Sequence, residues 1–223
     1  MLCLSNYGIP IYYTKKGLYE AVDRVRAKSG IDASEIDMDF HKFCSRFKGI
    51  DITYHKFPNR SIRGLAVVNE KIILLNSLRT NTEKNFDCAH EFFHIVLHQN
   101  AKHKTFKCLD SINQNNALEW HANEAGAEFL VPYRKIIPEY VSELNKCSTP
   151  YEYWGLINSL AAKYNVTPIV IKYRIDSLKY EITQYENGVE IENLRILSAR
   201  QQQVNNIYIP SYHDRFRTDK KAP

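Results

Sequence analysis

The sequence predicts an α+β fold, with a small sheet early in the chain and helices around and after it. Apolar residues recur at helical spacing in 16–28 and 81–98, so each stretch would bury one face of a helix. Between them, 52–57, 64–68 and 71–75 read with the period of strands. Further on, Thr149-Pro150 and Thr167-Pro168 each set a cap residue before a proline at the first helical position, so two more helices follow.

In 16–28, Leu18, Ala21, Val22 and Val25 form the stripe, and Ser29-Gly30 ends it. A second helix is expected near 37–47 on Phe40, Phe43, Cys44 and Phe47. Pro58-Asn59-Arg60 breaks the first strand. Asn69-Glu70 is the right length for a tight hairpin between Gly64-Leu65-Ala66-Val67-Val68 and Lys71-Ile72-Ile73-Leu74-Leu75. The resulting sheet is antiparallel or mixed. Thr80-Asn81-Thr82-Glu83 fits a capping box, which starts a helix running to about His98. That helix is apolar on two stripes, one of Phe86, Ala89, Phe93 and Val96 and one of Phe92 and Ile95, so most of its circumference should be buried. Residues 99–110 read as a loop. Ser111-Ile112-Asn113-Gln114 is a second capping box, opening a helix from about 113 to Val131 that Pro132 stops. Two helices occupy 150–180, 188–191 and 207–209 suit short strands, and 211–223 reads as a tail. These elements divide into 1–145, a helical hairpin at 146–182 and an extension at 183–223.

Composition excludes several classes. At 223 residues, 44% apolar and 25% charged, the chain is an ordinary globular one that needs no disulfide staples. Net charge is +5, and part of it lies in Arg215, Arg217, Lys220 and Lys221, so the body is only mildly basic and nucleic acid is weakly indicated. Five scattered cysteines without a CxxC spacing suit a reducing compartment. The N-terminal segment lacks a basic region before an apolar run, and no stretch nears the ~18 consecutive apolar residues of a membrane span. The expected location is the cytoplasm.

The chemistry concentrates in His90-Glu91-Phe92-Phe93-His94, an H-E-x-x-H on a helix. Residues four apart share a helical face, so both imidazoles can meet one metal. Zinc suits neutral imidazole and accepts three protein ligands plus a water. Glu91 can take a proton from that water and return it to the leaving amine. Chance would produce this pattern roughly 0.02 times in a chain of this composition. A third ligand comes from Glu119, His121, Glu124 or Glu128, or from His98 or His103. His98 has drifted about 80° around the helix from His90, which suits a place behind the ligands or on the substrate side. Glu119 is best placed, because Ala122 and Gly126 share its face and small residues let two helices approach closely. Asn123, one turn on, can orient a ligand histidine through its other ring nitrogen.

Phe86-Asp87-Cys88-Ala89-His90-Glu91-Phe92-Phe93-His94-Ile95-Val96-Leu97-His98 resembles the F-x-x-A-H-E-x-x-H-x-x-L-H of the ImmA/IrrE metallopeptidases. Glu119 to Pro132 is similar to that family's E-x-x-A-N-x-F-A-A-x-L-L-M-P, and Arg63-Gly64-Leu65 to its segment upstream. The resemblance covers about 50–180. It implies a zincin-like core, zinc held by His90, His94 and Glu119, Glu91 as acid and base, and cleavage of XRE-type helix-turn-helix repressors. Two departures stand out: Phe93 replaces the usual glycine, putting a bulkier residue beside the zinc, and Ala125-Gly126-Ala127 replaces F-A-A.

Residues 160–171 resemble a helix-turn-helix, with Lys172, Arg174 and Lys179 on or after its second helix. So few basic residues disfavour direct DNA binding, and a helical hairpin packed on the core is the preferred reading. Tyr133 reads as structural. The leading function is a zinc endopeptidase acting on a regulatory protein; the competing one is a non-cleaving, zinc-stabilised protein that binds a repressor or DNA. The strand near 64–68 or 71–75 is expected at the sheet's edge, open to an extended peptide.

Overall fold

The computed structural model describes residues 12–32, 35–44, 47, 49–109 and 117–216. Helix α1 (Lys15–Lys28) begins where Thr14 Oγ1 accepts the N–H of Gly17 at 3.1 Å. Gly30, at φ +67°, ends it: the Ile31 N–H reaches back to the Arg26 carbonyl and the Gly30 N–H to that of Ala27. Helix α2 (Phe40–Cys44) is shorter than the predicted 37–47. Its start is set from outside the segment. Asp37 takes a left-handed φ of 60°, and Asn85 accepts the Phe40 N–H at 2.7 Å while donating to the Met38 carbonyl at 2.8 Å.

Strands β1 (Asp51–His55), β2 (Ile62–Val67), β3 (Ile72–Asn76) and β4 (Thr105–Leu109) form a mixed sheet in the order β1-β3-β2-β4. β1 runs parallel to β3, and β2 is antiparallel to both of its neighbours. The turn centred on Asn69 and Glu70 joins β2 to β3 as predicted, with the Lys71 N–H on the Val68 carbonyl. Two expectations fail. Both predicted candidates for the edge strand are interior, and the segment read as a loop supplies the edge as β4. β4 points only Phe106 and Cys108 inward, among three lysines in 102–107. Its pairing with β2 is long-range and invisible to a local pattern.

Helix α3 (Asn81–Leu97) starts at the predicted capping box, with Thr80 and Glu83 satisfying each other's backbone donors. Helix α4 (Ala117–Leu130) lies beside it; the capping box expected at Ser111–Gln114 falls outside the described residues. Between α2, α3 and α4 a cluster of Phe40, Phe43, Phe47, Phe92, Phe93 and Phe129 forms the core.

Helix α5 (Tyr133–Leu144) follows directly after Pro132 and contains Pro138. The sequence reading assigned nothing there, because a helix is expected to stop at such prolines. Helices α6 (Pro150–Lys163) and α7 (Pro168–Ser177) match expectation, while α8 (Lys179–Glu186) and α9 (Ala199–Val204) are additional. The strands expected at 188–191 and 207–209 do not form. The N–H groups of Val189 and Ile207 instead close the ends of α8 and α9 on the Gln184 and Gln202 carbonyls, at 3.1 and 2.9 Å. Of the expected tail, 212–216 is a 3-10 turn.

Helices α7 and α8 are fastened to the core by buried charges. Lys15 of α1 meets both carboxylate oxygens of Glu181 at 3.0 Å. Arg174 donates to Tyr19 Oη at 2.7 Å, to Glu124 at 2.8 Å, to the Val131 carbonyl at 3.0 Å and to Glu128. Among the described residues, no helix is long and apolar enough to cross a membrane.

Candidate metal centre

The capping box sets the phase of α3, so His90 and His94 fall one turn apart on the face between sheet and α4. Their Nε2 atoms are 3.0 Å apart, and both side chains are buried. Glu119, in the first turn of α4, reaches them with its two oxygens, 3.3 Å from His90 Nε2 and 3.5 Å from His94 Nε2. The close helix approach depends on Gly126, where a Cβ would stand 3.3 Å from the His90 nitrogen and 3.5 Å from Ala89. The small-residue face inferred from the sequence is therefore the contact between α4 and α3.

The remaining predicted residues fall around this cluster. Asn123 Oδ1 lies 2.9 Å from His90 Nδ1. An amide oxygen only accepts, so His90 carries its proton on Nδ1 and presents a lone pair at Nε2. His98, the C-cap of α3, is buried with its Nδ1 2.9 Å from His94 Nδ1. The alternatives to Glu119 are engaged elsewhere. His121 accepts the Tyr13 N–H at 3.1 Å, and Glu124 and Glu128 hold Arg174. Phe93 turns away from the site into the phenylalanine core, so the bulk expected beside the metal lies elsewhere. Tyr133 is buried and stacks on Tyr19.

Glu91 is fully buried, and neither of its carboxylate oxygens has a hydrogen-bond partner among the described residues. Burial pushes its carboxyl well above the ordinary range, with Cys108 and the Arg63 guanidinium opposing the shift. Gly64 on β2 makes the room: a Cβ there would sit 2.8 Å from Glu91 Oε1 and 2.8 Å from the Leu74 carbonyl. Arg63, at the register shift between β2 and β4, turns to Asp87 with Nε 2.7 Å from Oδ1, and Arg79 takes the other oxygen at 2.5 Å.

One member of the cluster went unread in the sequence. Cys108 of β4 places Sγ 2.9 Å from His90 Nε2 and 3.8 Å from His94 Nε2. Single donor atoms of His90, His94, Cys108 and Glu119 all lie within 4.8 Å of one another. The signal that could have found it is the alternation in Thr105-Phe106-Lys107-Cys108-Leu109, which puts Phe106 and Cys108 on one face.

The chemistry of these donors fits a cation. Burial, first, holds His90 neutral down to about pH 3, and it lowers His94 as well. Glu119 lies below the usual carboxylate range: burial opposes this, but His90 and His94 outweigh it. Two imidazole nitrogens, a carboxylate and a thiol thus converge with lone pairs facing inward. Such a set is repulsive unless a positive charge lies among it.

Comparison with known proteins agrees with this geometry. The chain is 24% identical over 173 residues to the uncharacterized protein YqaB of Bacillus subtilis, covering 78% of this chain and 90% of that one. It is also similar to a Mycobacterium tuberculosis transcriptional regulator of known structure, at 15% identity and a TM-score of 0.48. That match covers 75% of this chain and about half, 48%, of the regulator. The profile of the peptidase family described as the IrrE N-terminal-like domain matches residues 46–176. Because that match takes in more than half of the sequence, and every residue of the cluster with it, the chain belongs to the ImmA/IrrE peptidase family.

Proposed function

We propose that this protein is a zinc-dependent endopeptidase that cleaves a regulatory protein, an XRE-type helix-turn-helix repressor or one like it, and so derepresses genes. The observation that carries the chemistry is the convergence of His90, His94 and Glu119 beside a buried Glu91 carboxylate with no partner of its own. His90, His94 and Glu119 would hold the ion. When bound, zinc polarises a carbonyl and acidifies water.

The chain's own groups do the rest. Asn123 fixes the His90 ring with its lone pair inward. Glu91, kept basic by its dry surroundings, takes the proton of the attacking water on a carboxylate oxygen and hands it to the departing amine nitrogen. β4 offers the binding edge. In register with β2, the Val68 N–H meets the Lys104 carbonyl, so Phe106 and Cys108 also turn their backbone groups to β2. Thr105 and Lys107 therefore turn theirs to the open side, where an extended peptide can pair with little side-chain selection. This suits an exposed, flexible segment of a folded repressor. Direct DNA binding gains nothing from α7: Arg174 is fully buried, and Lys172 lies over the Trp154 ring.

The test is Glu91→Gln, which keeps size and polarity but cannot act as a base. The variant should fold, retain stoichiometric zinc and lose hydrolysis by about 10²–10⁴-fold. Glu119→Ala, in contrast, should lose metal and activity together. Should Glu91→Gln relieve repression in cells as well as the parent, cleavage is not the mechanism, and the protein acts as a non-cleaving, zinc-stabilised binder.

A further inference from the structure

We propose that Cys108 is a fourth protein donor to the metal, so that the site as built is closed and the peptidase rests in a latent state. The inference builds on the zinc-peptidase reading and concerns its regulation. A catalytic zinc site keeps three protein ligands and leaves one corner to water, whereas four protein ligands make a closed, structural type of site. Donors at the corners of a zinc tetrahedron, with bonds of 2.0–2.3 Å, stand about 3.3–3.8 Å apart. Here the separations are 2.9, 3.0, 3.3, 3.5 and 3.8 Å among the two imidazoles, the thiol and the carboxylate. The sulfur stands at the corner that a water takes in an open site.

The thiol is held there by the fold. Cys108 is 3% exposed and pairs with Gly64 across β2 and β4. Gly64 also makes the space for Glu91, so sulfur and carboxylate share the same dry volume. Phe106, two residues back on the same face of β4, stacks on the His94 ring at 4.2 Å and 17°. Together these contacts fix the strand against α3. Two other cysteines, Cys44 and Cys88, are buried in the hydrophobic core instead. A thiolate is a strong, soft ligand for zinc. While it is bound, Glu91 faces sulfur in place of the water it would deprotonate. Hydrolysis then requires the thiolate to leave.

Cobalt(II) substitution of the full chain reads the ligand directly. The parent should show an intense near-ultraviolet thiolate-to-cobalt charge-transfer band, and Cys108→Ala should lack it. Zinc affinity of Cys108→Ala should fall at least about tenfold, the loss that removing even an outer partner of a ligand brings. On a fluorescence-quenched peptide library, Cys108→Ala should cleave faster than the parent, and Cys108→Ala/Glu91→Gln should not cleave. Cys108→Ser repeats each measurement with a side chain closer in size and polarity, should the alanine variant fail to fold. Cobalt bound in the parent without the charge-transfer band overturns the closed site and leaves the peptidase reading intact. So does a Cys108 variant that cleaves no faster than the parent. A chain that binds neither cobalt nor zinc overturns both.

Discussion

Gly64→Ala tests whether Glu91 is placed by the absence of a side chain across from it. The added Cβ would stand 2.8 Å from Glu91 Oε1, 3.3 Å from its Cγ and 2.8 Å from the Leu74 carbonyl oxygen. The carboxylate can swing away; the Leu74 carbonyl cannot, because Leu74 pairs with Thr53 on one side and Leu65 on the other. Alanine in a strand is intrinsically better than glycine by about 0.5–1 kcal/mol. Overpacking a tight interior costs about 1–3 kcal/mol. The clash wins, and a net loss of about 1–2 kcal/mol is expected. Urea unfolding should show a lower midpoint at unchanged slope. Zinc affinity should hold, since no metal donor touches Gly64, while hydrolysis falls because Glu91 is turned out of line. In a double-mutant cycle with Glu91→Ala, part of the stability loss should disappear, the part due to Leu74 remaining. A Gly64→Ala protein as stable and as active as its parent would refute the close approach of β2 to α3.

Removing the guanidinium with Arg174→Ala leaves Glu124 and Glu128 buried without their cation, and thermal or urea unfolding should show a loss of about 3–5 kcal/mol. At Glu83, burial pulls upward, but the Arg60 guanidinium and the Thr80 N–H outweigh it and hold the carboxyl down at about 2 against an ordinary 4.5. A depressed folded pKa means a stabilisation that is whole above pH 4.5 and vanishes as pH falls toward 2. Glu83 is mostly exposed, so screening limits this to about 1 kcal/mol or less. Urea midpoints should therefore separate Glu83→Gln from its parent at pH 6 and converge near pH 2; a constant difference would rule the linkage out.

What the sequence made legible is what one segment determines alone. Thr80 to Glu83 closes its own capping box, and α3 starts there. Leu18, Ala21, Val22 and Val25 define a buried stripe without reference to any partner, and α1 forms where predicted. The failures share the opposite cause. α2 begins at Phe40 because Asn85, 45 residues on, takes its N–H. β4 is a strand because β2 accepts it, and five residues with two apolar side chains facing in do not announce that. The edge was misassigned for the same reason: once β4 is missed, β2 and β3 are the strands left to place at the margin.

The candidate site divides along the same line. His90, Glu91 and His94 follow from helical phase and were readable together. Glu119 was readable because a glycine in mid-helix is unfavourable by about 1 kcal/mol unless something approaches it, and Gly126 against the His90 backbone is that approach. Cys108 left no such mark. Nothing about a cysteine in a basic stretch singles it out until β4 is paired and its second inward residue is found to be sulfur, 2.9 Å from a histidine nitrogen. The metal-binding half of the centre is thus written into the local periodicity of α3 and α4. The residue that decides whether the centre is open or closed is written only into the register of the sheet, so a one-residue slip of β4 would remove it without touching either motif.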